Sequence, residues 1–154
     1  MIKIDYILTG TGWSKCTIST DDISTTISAS YLGDALGNLL SAILKLINGE
    51  KEATISFDEE PGEYRWRFKT TSDKIVHLTI LEFDELWGNK PDSEGRKVFD
   101  TECQLRDLTA AVFNTAQKIL LEYGEEGYIQ KWIEHPFPIK QYETINKWLT
   151  SGVN

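Results

Sequence analysis

Arg65, Arg67 and His77 are the side chains whose types and spacing most readily combine into chemistry. Arg65 and Arg67 alternate with Tyr64, Trp66 and Phe68, so a strand turns both guanidinium groups to one face. If residues 69 and 75 pair in the following hairpin, His77 joins them there. Three such groups on one face could bind an anion or an acidic partner. A solvated sheet face with Glu52 opposite Lys69 accounts for the same pattern.

Carboxylates form the second group. Asp58, Glu59, Glu60 and Glu63 surround Pro61-Gly62, a strong turn signal. Paired carboxylates can do acid–base work, but an exposed turn would hardly shift their pKa values. They read as an acidic hairpin tip. Asp84, Glu85, Asp92 and Glu94 lie in the polar stretch 84–95 around Trp87, and they lack the ligand spacing of a calcium loop. No metal site is expected. Trp87 is either a contact anchor or a ring folded back on the core.

Nothing else assembles a catalytic centre. Cys16 and Cys103 lie in no CxxC and near no histidine. They read as buried free thiols, with a disulfide open only if their strands are neighbours. His135 precedes a proline. The chain carries no HExxH, GxSxG, P-loop or GxGxxG pattern. Gly10-Thr11-Gly12 leads into a strand rather than a helix, so it offers no phosphate-binding helix terminus. No catalytic residue and no cofactor is assigned.

The elements that must position these groups begin with the helix of residues 30–48. Leu32, Leu36, Leu39, Leu40, Ile43, Leu46 and Ile47 recur at helical spacing, with Ser30 as N-cap and Gly49 closing the end. Gly33, Gly37 and Ser41 form a small-residue strip beside that face, which implies close approach of neighbouring structure. Strands are expected at 2–8, 13–20, 23–28, 53–57, 64–69, 75–83 and 97–103. Pairing Tyr6 with Cys16, Cys16 with Ile27 and Phe57 with Tyr64 keeps each apolar set on one face. Ile75, Leu81 and Phe83 share the parity of the polar face, so the C-terminal segment should cover part of it. Leu105 to Tyr123 is a helix stopped by Gly124. A short helix to Ile133, a Pro136-Phe137-Pro138 break and a last helix over 139–149 follow.

The 154 residues carry a net charge of −8. That length suits one domain. The charge disfavours nucleic acid and anionic membranes and suits a basic protein partner. No run reaches the ~18 apolar residues of a membrane span, and residues 1–10 lack a secretory pattern, which places the protein in the cytoplasm.

The segments Ser30-Tyr31-Leu32-Gly33-Asp34-Ala35-Leu36, Asp58 to Trp66, and Gly127-Tyr128 to Trp132 followed by Phe137-Pro138 resemble a family of small uncharacterised bacterial proteins. The resemblance implies a bacterial cytosolic protein. It assigns no activity.

The expectation is an α+β domain: an antiparallel, strongly bent sheet of about seven strands around the 30–48 helix, with C-terminal helices on another part. Its function reads as a non-catalytic protein-binding module, for instance an antitoxin- or immunity-like inhibitor. Arg65, Arg67, His77, Trp87, Glu59, Glu60 and Glu63 are its candidate binding residues. The alternative is a small-molecule or anion-binding protein, or a hydrolase, using the Arg65/Arg67/His77 face. Oligomeric state is left open.

Overall fold

A computed structural model describes residues 1–152. The alternating N-terminal segments form an antiparallel meander of β1 (Lys3–Gly10), β2 (Trp13–Ser19) and β3 (Ser24–Ser30). Tyr6 pairs with Cys16, and Cys16 pairs with Ile27, as the alternation predicts. Helix α1 (Ala35–Ile47) follows, and then a second antiparallel sheet. Its strands are β4 (Glu52–Glu59), β5 (Gly62–Ser72), β6 (Ile75–Phe83) and β7 (Arg96–Gln104). Helices α2 (Leu105–Trp132) and α3 (Ile139–Thr150) close the chain.

The seven strands are therefore split into sheets of three and four rather than one bent sheet. The sheets meet where β3 lies beside β4, and Ser28 Oγ donates to Glu59 Oε2 at 2.9 Å. Tyr6 of β1 meets Phe57 of β4 edge to face, so the inner faces of both sheets share one core. Leu36, Leu39, Leu40 and Ile43 of α1 are fully buried in it.

Helix α1 starts five residues later than the sequence suggests. Ser30 is not its cap. Ser30 ends β3 opposite Trp13, and the Tyr31 N–H donates to Gly12 O. Asp34 takes the capping role, its Oδ1 accepting from the Gly37 N–H at 3.1 Å. Gly33 thus lies outside the helix. A Cβ added there would sit 2.9 Å from Asp58 Oδ2, and one at Gly37 would strike the capping carboxylate. The small residues do mark close internal approach, but not as one helical strip. Gly49 (φ 95°) closes the far end in the left-handed region, as expected.

Burial pushes the Asp34 carboxyl above the usual range, against the opposing pull of the Gly37 N–H and of His135. The native state therefore holds this proton more tightly than the unfolded chain does. Its contribution to stability declines as pH rises from the ordinary carboxylate value through the raised native one. Asp34→Asn keeps a good cap and removes the ionising group. Its stability relative to wild type is expected to improve on going from pH below that window to neutral pH, in urea titrations at both. Asp34→Ala, which loses the cap, should cost about 1 kcal/mol.

In the second sheet Phe57 faces Tyr64 and Glu52 faces Lys69 as predicted. Lys69 faces His77, however, and not residue 75. Strand β5 runs two to three residues further, and Lys74 adopts φ 68° in the shorter turn. A slip of two residues preserves side-chain parity, so Val76, Leu78 and Ile80 still face the core.

Helix α2 is broken at Gly124 (φ 67°) where the sequence predicts a stop. Its first part packs along β1, whose outer edge would otherwise be open. The Tyr6 N–H donates to Thr115 Oγ1 at 2.8 Å. A side chain from α2 thus satisfies a backbone donor of an edge strand. Its second part clamps the start of the chain. The Gly12 N–H donates to Lys131 O at 2.7 Å, and the buried Trp132 donates its indole N–H to Gly33 O at 3.1 Å.

Candidate functional site

Hairpin β4–β5 and the 84–95 loop bring two acidic segments together. The Leu86 N–H donates to Pro61 O at 2.7 Å, which ties the loop to the hairpin tip. Gly62 is required at this contact, because a Cβ there would run into the backbone of Phe83. Segments 58–63 and 84–89 together contain six carboxylates and no Lys or Arg. They form an acidic pole at one end of the second sheet. Lys90 Nζ lies 3.9 Å from Glu85 at its margin.

The pole is more ordered than a bare turn. Glu63 is only 7% exposed, with Oε2 accepting from Ser56 Oγ at 2.9 Å. Glu63 is therefore not part of an exposed tip, contrary to the sequence reading, because its parity aims it over the outer face of β4. Glu59 is half-buried and holds Ser28, while Glu60 is exposed. Burial pushes the Asp58 carboxyl up, with the Trp87 N–H opposing and Glu63 adding to the rise. The expectation of unshifted carboxylates fails at this residue.

Trp87 stands over the pole. It is 68% exposed, and its indole N–H donates to Asp58 Oδ2 at 3.4 Å. It is a displayed ring and not a core residue. Its backbone is left-handed, φ 58°, with Asn89 at φ 52° two residues on. A bulky aromatic in that region is uncommon and carries strain of order 1–3 kcal/mol.

The cationic candidates lie on the outer face of the same sheet, and each has an internal carboxylate. Asp92, from the 3₁₀ turn Asp92–Glu94, accepts from Arg65 Nη1 at 2.7 Å and from Arg67 Nε at 2.6 Å. Bonding to Arg67, with Arg65 assisting, holds its carboxyl below the usual range. Arg67 also donates to Thr54 Oγ1 at 2.9 Å. His77 Nε2–H donates to Asp100 Oδ1 at 2.5 Å, and Thr79 Oγ1 donates to the same oxygen. Burial raises the Asp100 carboxyl, but the His77 and Thr79 bonds outweigh it and hold it low. An ion-paired centre of Arg65, Arg67 and Asp92 and a hydrogen-bonded centre of His77, Thr79 and Asp100 replace the single three-cation site of the sequence reading.

The 84–95 loop, rather than the C-terminal segment, covers Leu81 and Phe83 of this face, while Ile75 at the other end of β6 is half-buried. Gly95 lies against Phe83 and Leu81, and the Arg65 guanidinium stacks 4.2 Å above the Phe83 ring. Sequence reasoning placed Asp84, Glu85 and Asp92 in the loop but not their partners. The usable signal was the hairpin itself, since pairing β5 with β6 returns the chain at residue 84 to the 60–63 tip.

Neither cysteine is poised to react. Burial pushes the Cys16 thiol far up, and pushes Cys103 up to about 11. Both are free thiols. Among the described residues no cluster of three or more His, Cys, Asp or Glu side chains could hold a metal ion, and no helix is long and apolar enough to cross a membrane.

No protein-family model and no curated protein matches the chain. The fold does have a likeness among solved structures. It is similar to a chain of the CdiA-CT/CdiI toxin and immunity complex from Enterobacter cloacae, at 11% identity and a TM-score of 0.50, over 76% of this chain and 99% of that one.

Proposed function

We propose that this chain is a non-catalytic protein-binding module of a bacterial cytosol, an immunity- or antitoxin-like inhibitor that presents its acidic pole to a basic protein partner. The observation that carries the reading is Trp87, a strained and exposed aromatic ring set among the carboxylates of two converging segments. Tryptophan is enriched among the few residues that carry most of an interface's binding energy, and one-signed charge steers a complementary partner. The fold likeness to a chain of a toxin and immunity complex supports a protein partner.

The combined variant Glu59→Gln, Glu60→Gln, Asp84→Asn and Glu85→Gln tests the reading. Glu63 is left intact because it is buried. The tagged wild type should retain a stoichiometric basic protein from its native lysate, and the variant should lose most of it while melting like wild type. Undiminished retention by the folded variant would show that the pole is not the interface.

A further inference from the structure

The outer face of the second sheet carries two shallow grooves, of about 560 and 880 Å³. Thr54, Arg67 and Asp92 border both, so the Arg67–Asp92 pair is the wall between them. Lys69, His77 and Lys97 line the first groove and Arg65 and Lys90 the second. In a chain of net charge −8, five Lys and Arg side chains border these grooves against the three carboxylates Glu52, Glu63 and Asp92. One carboxylate, Asp92, sits across two arginines from different positions of one strand, with one oxygen on each. Two guanidinium groups arranged in this way match the two oxygens of any carboxylate, not only of this one.

We propose that Arg65 and Arg67 form a binding clamp for a small carboxylate ligand, which the chain's own Asp92 fills as an internal stand-in. The 84–95 loop is then a strap, and ligand and strap exclude one another. Each groove is of the size of small-molecule sites, and withdrawal of Asp92 joins the two. A tethered carboxylate competes at an effective concentration of about millimolar. An external ligand therefore has to gain further contacts, and Lys69 stands along the first groove to provide one, whereas His77 and Lys97 already meet Asp100. The strap includes residues 84–89 of the acidic pole, and Glu63 and Trp87 border the second groove, but the substitutions that test the clamp leave every carboxylate of the pole in place.

Asp92→Ala removes the stand-in and leaves the clamp. Its melting temperature is expected to rise by several degrees in sodium acetate relative to sodium chloride at equal pH and ionic strength, with no such difference for wild type. Titration with citrate should show binding at least about tenfold tighter than to wild type. Adding Arg67→Gln to Asp92→Ala should abolish both effects. Should Asp92→Ala fail to fold, Asp92→Asn, which keeps the side-chain volume and removes the charge, is measured in its place. Carboxylate-specific stabilisation that depends on Arg67 supports the clamp. Equal melting in acetate and chloride, or stabilisation that survives Arg67→Gln, overturns it.

Discussion

Trp132→Ala is expected to destabilise the protein by about 3–5 kcal/mol, read as a lower urea midpoint at unchanged slope. The ring is fully buried at the end of α2 and its indole N–H holds Gly33 O. Truncation creates a large cavity and leaves the half-buried Gly33 carbonyl without its donor. It also loosens the Lys131–Gly12 bond one residue away, which pins the β1–β2 turn. Trp132→Phe separates the terms. It retains most of the ring and loses the hydrogen bond, so it should cost about 1–3 kcal/mol. Domains of this size have about 5–15 kcal/mol in total, so the alanine variant should lie near the threshold of folding. A cost of about 1 kcal/mol for the alanine variant, no more than an average point substitution, would mean that the clamp does not hold the N-terminal sheet.

Trp87 should behave in the opposite way. Trp87→Gly is expected to leave the protein as stable as wild type or more stable, because glycine adopts φ 58° without penalty while the exposed ring has little packing to lose. The same substitution should cost about 2 kcal/mol or more in affinity for the basic partner, roughly thirtyfold or more, as for a central aromatic anchor. Calorimetric unfolding and a binding titration on one preparation test both halves. Gained stability with lost binding is the signature of a residue retained for recognition against the preference of its backbone. Unchanged affinity would remove Trp87 from the interface, and lost stability would make it a structural residue of the loop.

Much of the fold was legible because alternation and turn chemistry are local. The registers at Tyr6–Cys16, Cys16–Ile27 and Phe57–Tyr64 follow from parity and short turns. The helix break at Gly124 follows from glycine itself. The misread features depend on distant partners. The sequence favours Ser30 as the cap, and only its strand pairing with Trp13 removes it and leaves the role to Asp34. The β5–β6 slip was hidden because a shift of two changes no face. The cationic face was visible as Arg65, Arg67 and His77, but not the neutralising carboxylates. Asp92 comes from a loop and Asp100 from a neighbouring strand, and no local rule says which cation each will meet. Trp87 was legible as a residue of interest, and its display to solvent was not.

The bond between Tyr6 and Thr115 also bears on how the chain reaches its native state. The two residues are 109 apart in sequence, and Trp132 and Gly33 are 99 apart. Contacts at that separation come late, because the loop entropy between them must be lost before they contribute. All seven strands leave the ribosome before α2 does. Until Thr115 arrives, β1 presents an open edge, which is a template for pairing with another nascent chain. Helix α2 therefore completes the protection of β1: the strands can form their hairpins alone, but this edge is covered only once residues 105–132 have been made.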